Sequence, residues 1–243
     1  MKIEVFDDDA AVAEAAAALI AAEARAAIAA RGRFLLAVSG GKTPWMMLRA
    51  LATQAVPWEQ LHVFQVDERI APAGDPDRNL THLQESLLGR VPLRPEQVHA
   101  MPVESANLEA AVEAYQRVLR SCAGVPPVLD LVHLGLGPDG HTASLVPSDP
   151  SLDEMNADVV LAGPYQKRRR MTLTYPVINR ARRLLWVVTG AEKVAMLQRL
   201  QDGDRSIPAG RVCQQHAVVF ADRDAAGGAM VGTSTATNPG SGR

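Results

Sequence analysis

Short apolar runs alternate with amphipathic stretches along most of the 243-residue chain. Residues 2–6 (KIEVF), 34–38 (FLLAV), 61–66 (LHVFQV), 131–136 (LVHLGL), 183–188 (RLLWVV) and 217–221 (AVVFA) read as β-strands. Runs that are apolar at every position, such as FLLAV, predict strands buried on both faces. The Ala-rich residues 10–30, broken by Glu14, Glu23 and Arg25, predict an amphipathic helix, with Asp7 to Asp9 supplying its N-cap and first-turn charge. Thr43-Pro44 gives a cap and a first-turn proline to a helix ending near residue 52. Further helices are predicted over residues 80–88, 108–120 and 192–201, with short strands at 98–101 and 170–174 and a Pro/Gly/Asp-rich loop at 71–78. This β-then-α rhythm predicts an α/β fold: a mostly parallel, doubly wound, Rossmann-like sheet with helices on both faces. No repeat or linker divides the pattern. Residues 1–226 are expected to form a single α/β domain, and the Gly/Ser/Thr-rich residues 227–243 a disordered tail.

Composition narrows the function classes. Apolar residues are 47% of the chain, enough for a sizeable core, and a net charge of −2 gives no bulk attraction for nucleic acid. The one basic run, Lys167 to Arg170 (KRRR), reads as a solvated turn or strand start. Residues 10–30 are too polar for a membrane span, and the opening MKIEVFDDDA lacks the pattern of a signal peptide. Cys122 and Cys213 match no metal or redox spacing, which fits reduced thiols in a cytoplasmic protein. The expectation is a cytoplasmic monomer or weak homo-oligomer that acts on a small molecule, with no cofactor, metal, nucleic-acid or membrane partner.

In such sheets ligands bind beyond the carboxyl ends of the strands, so three loops carry the candidate chemistry. The first is Ser39-Gly40-Gly41-Lys42-Thr43-Pro44. Its glycines allow close backbone approach, and the helix it opens favours an anion; a tight capping turn is the competing reading. The second is Asp67-Glu68-Arg69, in which Arg69 could pair a phosphate, or the three charges could neutralise one another and Lys42 at a strand end.

The third is GLGPDGHTA, from Gly135 to Ala143. Its first six residues fit the dinucleotide template G-x-G-x-x-G, but Asp139 would repel a pyrophosphate and Pro138 removes an N–H. The glycines can instead shape a turn that presents His141 as a general base, with Asp139 orienting its ring. A histidine that merely caps a turn stands against this. Downstream, Arg170 and Lys193 are candidate anion ligands; Lys193 falls in the first turn of a helix, against the dipole, where an extended solvated side chain would also be cheap.

Together the segments SGGKTP (residues 39–44), DER (67–69), DLVHLGLGPDGHTASL (130–145), RRMTLTYPVIN (169–179) and TGAEKVAML (189–197) resemble the 6-phosphogluconolactonases, in the same order and over roughly residues 3–226. The related glucosamine-6-phosphate deaminases share the Gly-Asp-Gly-His-Thr-Ala core. They carry a Glu five residues after the motif His, where this chain has Val146, and Asp-Glu-Tyr where it has Asp67-Glu68-Arg69. The lactonase pattern is itself departed from at Val146, in place of Phe, and at Arg78, in place of Ser. The resemblance implies the glucosamine-6-phosphate isomerase type of α/β fold and hydrolysis of 6-phosphoglucono-δ-lactone to 6-phosphogluconate in the oxidative pentose phosphate pathway. It implies His141, Asp139 and Arg69 as catalytic groups, with Ser39, Gly40, Gly41, Lys42, Thr43, Asp67, Arg170 and Lys193 around the substrate. The rival readings are a deaminase or isomerase on the same fold, a non-catalytic sugar-phosphate sensor, and, last, a nicotinamide enzyme.

Overall fold

The computed structural model describes residues 1–228. All but the first two residues of the 227–243 tail therefore lie outside the described region. Seven strands form one sheet: β1 (Lys2–Phe6), β2 (Phe34–Val38), β3 (Leu61–Gln65), β5 (Val98–His99), β6 (Leu131–Gly135), β9 (Arg183–Val188) and β10 (Ala217–Asp222). Their order is β1-β10-β9-β6-β2-β3-β5, and every neighbouring pair is parallel.

Period-two alternation builds the core on both faces. In β2, Phe34, Leu36 and Val38 face one apolar cluster while Leu35 and Ala37 face the other. In β9, Leu184, Trp186 and Val188 point opposite to Leu185 and Val187. Helices α1 (Asp9–Arg31), α2 (Lys42–Leu51) and α3 (Asn79–Ser86) cover one face, and α4 (Leu108–Ala123) covers part of the other. Ala13, Ala16, Ala17, Ala21, Ala24 and Ala27 line the buried side of α1, where short side chains allow close packing of the backbone. The Asp8 carboxylate accepts the Ala11 N–H at 2.8 Å to start that helix, and Gly32, at φ 75°, ends it.

The sequence pattern missed the second layer. The charged triplet is not a loop but a strand, β4 (Asp67–Arg69), and it joins β7 (Val159–Tyr165) and β8 (Arg168–Leu173) in a small antiparallel sheet of order β4-β8-β7. Neither β7 nor the short helix α5 (Tyr175–Arg180) was predicted, and the predicted strand at 170–174 begins two residues earlier, at Arg168. Gln166 and Lys167, at φ 51° and 68°, make the two-residue turn between β7 and β8. The basic run is thereby accounted for: Lys167 lies in the turn, Arg168 pairs with Asp75 and Asp77, and Arg170 turns inward. The last predicted helix is shortened to α6 (Val194–Gln201), preceded by a 3-10 turn over Ala191–Lys193.

The chain steps outward from β2 through β3 to β5, then returns to place β6 on the other side of β2. The loops leaving β2 and β6 therefore diverge, and a crevice opens at this switch of direction.

Candidate active site

That crevice is a cleft of about 650 Å³. Ten of the eleven predicted site residues line it: Ser39 to Thr43 after β2, Asp67 and Arg69 on β4, His141 after β6, Arg170 on β8 and Lys193 after β9. The eleventh, Asp139, is bonded to the His141 ring and does not line the cleft.

The turn after β6 follows from its sequence. Pro138 and Asp139 occupy the central positions, and the Gly140 N–H closes on the Gly137 carbonyl at 3.0 Å. Gly140 takes φ 82°, a conformation that glycine adopts at no steric cost. The Gly137 N–H then bonds the His141 carbonyl at 2.8 Å, which brings the His141 ring back over Gly137. No helix follows the motif; the chain continues into an isolated bridge between Thr142 and Leu145. A dinucleotide turn needs a helix N-terminus at that point, so the G-x-G-x-x-G match is coincidental.

The His141 Nδ1 lies 2.6 Å from Asp139 Oδ1, and the His141 backbone N–H donates to the same oxygen at 3.2 Å. With Nδ1–H donated to the carboxylate, the lone pair is on Nε2. Burial acts to raise the Asp139 pKa, but the hydrogen bond and charge of His141 outweigh it and hold the carboxyl below its ordinary range. The Tyr165 ring meets His141 edge-on, with centroids 5.0 Å apart. Burial, followed by the negative charge of Asp139, raises the Tyr165 pKa, so the phenol keeps its proton.

Across the cleft, α2 starts at Gly41, whose φ of 135° brings the backbone around from β2. No side chain caps this helix, and its first turn contains no acidic residue. Its leading N–H groups are thus open to an anion. The Ser39 hydroxyl is buried and has no hydrogen-bond partner. The loop is anchored from behind: the Ser39 N–H donates to His133 Nδ1 at 3.3 Å, and Thr43 Oγ1 is 2.7 Å from Thr189 Oγ1. The Lys42 side chain is 84% exposed at the rim and pairs with Asp9 at 3.2 Å.

Arg69 and Arg170 are cross-strand neighbours in the β4–β8 register. Two guanidinium groups facing each other repel, and the Nε of each is buried without a partner. Arg170 is 5.0 Å over the Tyr165 ring, where burial and the Arg69 charge both lower its pKa, though an arginine stays charged at any ordinary pH. Three of the acids lining the cleft are engaged: Asp7 with Arg223, Asp9 with Lys42, and Asp222 with the Gly190 N–H. The buried groups without a partner in the cleft include the Ser39 hydroxyl and the Nε donors of Arg69 and Arg170, together with one acceptor, Asn79 Oδ1.

Asp67 and Glu68 serve the scaffold. The Asp67 carboxylate accepts the Ser144 hydroxyl at 2.6 Å and lies near Asn79 Nδ2 at 3.4 Å. Glu68, fully buried, accepts the Asn79 and Leu80 N–H groups at the start of α3 and pairs with Arg78 at 3.2 Å. The ion-paired strand end is therefore real, but Arg78 is the partner of Glu68, in place of Arg69 or Lys42. Arg78 itself is buried between Glu68 and Glu104 and does not line the cleft.

Among described residues, 7–221 match the family described as glucosamine-6-phosphate isomerases/6-phosphogluconolactonase. The chain belongs to this family. A relative from Synechocystis named 6-phosphogluconolactonase is 41% identical over 171 residues, covering 69% of this chain and 71% of its own. One of the same name from Mycobacterium tuberculosis is 37% identical over 238 residues, covering 92% and 96%. Among solved structures, the 6-phosphogluconolactonase of Thermotoga maritima superposes with a TM-score of 0.82 at 27% identity, over 91% of this chain and 98% of that one. A monomeric glucosamine-6-phosphate deaminase superposes with a TM-score of 0.81 at 17% identity, a likeness of fold alone. The position where the deaminases of the family carry a Glu is here the buried, apolar Val146.

Sequence reasoning missed several residues that shape this family's cleft in the present chain. Asn79 packs so closely on Gly40 that a Cβ there would overlap its amide. Its place in the departure Arg78-Asn79 was a usable signal. His133, a histidine inside an apolar strand, was another. Tyr165 gave none, because its place beside His141 depends on the unpredicted small sheet.

Two consequences can be measured. A Cβ on Gly137 would overlap the His141 ring. Gly137→Ala is expected to displace that ring and lower kcat on the order of 10²-fold, with little change in melting temperature. Activity within a few-fold of wild type would show that the ring has room to adjust.

His133 is fully buried, and burial lowers its pKa to about 3. The unfolded chain takes up a proton near pH 6.5 and the folded one does not. The native state therefore loses stability as pH falls from about 6.5 toward 3, by on the order of 5 kcal/mol from this residue. Urea midpoints measured against pH should fall less steeply for His133→Asn, which keeps an acceptor for Ser39. Parallel curves would remove His133 as the cause.

Proposed function

We propose that the chain hydrolyses 6-phosphoglucono-δ-lactone to 6-phosphogluconate, with residues 1–226 acting as one catalytic domain in the cytoplasm. The observation that carries this reading is the placement of His141, its ring held by Asp139, in the same cleft as the uncapped N-terminus of α2. An ester carbonyl is electrophilic enough for attack by an activated water. His141 Nε2 takes a proton from that water as the oxygen attacks C1, and Asp139 holds the ring in the right tautomer. Arg69 stabilises the oxyanion that forms on the carbonyl oxygen, since the Gly137 and Gly140 N–H groups of the turn already donate to the His141 and Gly137 carbonyls. The protonated imidazole then returns its proton to the departing ring oxygen, and the product carries a carboxylate and a hydroxyl.

The phosphate rests on the Ser39–Thr43 backbone at the start of α2, held by the Ser39 hydroxyl, Lys193 and Arg170. Binding at this end orients C1 toward His141, and such orientation contributes up to roughly 7–11 kcal/mol in ideal cases. The sequence relatives named 6-phosphogluconolactonase and the absence of a carboxylate at Val146 favour this reaction over amine release.

The test is hydrolysis of freshly generated lactone measured against its spontaneous rate. Acceleration by wild type supports the reading. No acceleration, together with ammonia release from glucosamine-6-phosphate, would transfer the chain to the deaminase branch. Binding of a phosphosugar without turnover of either substrate would make it a sensor.

A further inference from the structure

At the far edge of the main sheet from β1, three side chains converge that the proposed reaction does not use. His62 on β3 and Phe64, two residues on, share a strand face, and Phe64 is the register partner of His99 on β5. The C-terminal turn of α4 lays Cys122 over the same edge. The His62 Nδ1 is 3.0 Å from His99 Nε2, and Cys122 Sγ is 3.8 Å from that same nitrogen. All three ligand atoms lie within 4.8 Å of one another, and each residue is partly exposed. None of them lines the cleft.

We propose that His62, His99 and Cys122 form a metal site of the Zn²⁺ class, with a fourth position open to water. A tetrahedral Zn²⁺ with bonds of about 2.0–2.1 Å to nitrogen and about 2.3 Å to sulfur separates its ligand atoms by roughly 3.3–3.6 Å. The two spacings to His99 Nε2 bracket that range, and the third, between His62 Nδ1 and Cys122 Sγ, is within 4.8 Å, so closure needs side-chain shifts of up to about 1 Å. Two imidazoles and a thiolate are borderline-soft donors, which favour Zn²⁺ or a neighbouring transition metal over Mg²⁺ or Ca²⁺. The two rings lie nearly parallel, 6° apart, with His99 stacked on Phe64 at 4.3 Å, so packing already holds one of them in place. Arg33 and Arg94 oppose a cation here and Glu96 favours one, which makes the site weaker than a closed four-ligand cage. Metal bound there would tie the end of α4 to β3 and to the two-residue edge strand β5. A simple imidazole-to-imidazole hydrogen bond is the competing account of the geometry.

Co²⁺ titration of the reduced, full-length protein discriminates between them. The expected result is one Co²⁺ per chain, with tetrahedral d–d bands and a thiolate-to-cobalt charge-transfer band, both displaced by Zn²⁺. Cys122→Ser should abolish the charge-transfer band and His99→Ala should weaken binding at least tenfold, while Cys213→Ser leaves both unchanged. Circular dichroism checks that each variant is folded, and a Zn²⁺-dependent rise in melting temperature, lost in Cys122→Ser, gives a second readout. A wild type without a thiolate–cobalt band, or a band that survives in Cys122→Ser, would overturn the proposal.

Discussion

Replacing His141 with alanine is expected to lower kcat by about 10²–10⁴-fold, the range for loss of a positioned general base. The variant should fold normally, because the ring is at the cleft surface and bonds only to Asp139 through its side chain. KM should change little, since the phosphate end of the cleft is untouched. The lactone also opens unaided, so rates must be taken above the spontaneous reaction. A His141→Ala enzyme within a few-fold of wild type would end the general-base assignment. Asp139→Asn is the companion measurement: it keeps the shape but loses the charge, and should fall between wild type and His141→Ala.

Replacing Lys193 with alanine is expected to act on the other parameter. Its side chain is 18% exposed at the cleft, and its nearest acid, Glu192, is 3.6 Å away and itself well exposed. A hydrogen bond to a charged group contributes about 1.5–3 kcal/mol, so loss of the Lys193–phosphate contact should raise KM by roughly 10–100-fold with a smaller effect on kcat. Lys42→Ala provides the contrast. That side chain is solvated and paired with Asp9, so its KM should stay within a few-fold of wild type. Equal effects of the two substitutions would mean that general cleft charge binds the substrate, without a specific contact. An unchanged KM in Lys193→Ala would move the phosphate toward Arg69 and Arg170.

Much of this was legible from one dimension because its causes are local. A short, fully apolar run such as FLLAV, bounded by Gly-containing turns, reads as a strand covered on both faces. Gly137 to Gly140 make a turn through their own backbone freedom and the fixed φ of Pro138. The Asp139–His141 pair, two residues apart across that turn, needs no distant element to form. The ordered segments from Ser39 to Leu197 pointed to the family for the same reason: each motif carries its own geometry.

What the tertiary structure decided concerns groups brought together from far along the chain. The DER triplet pairs with β8, about a hundred residues later, and only that sheet makes Arg69 and Arg170 neighbours and Glu68 a cap for α3. Strand pairing of this kind is a long-range event with no local period to announce it. The same holds for Lys42, whose solvated position follows from where α1 places Asp9, and for Cys122, whose spacing signals nothing until α4 packs against the edge of the sheet. The sequence by itself determined the elements, the turn and the chemistry of each loop. The order of strands, set by which apolar faces can be buried together, decided which of those loops would share a cleft.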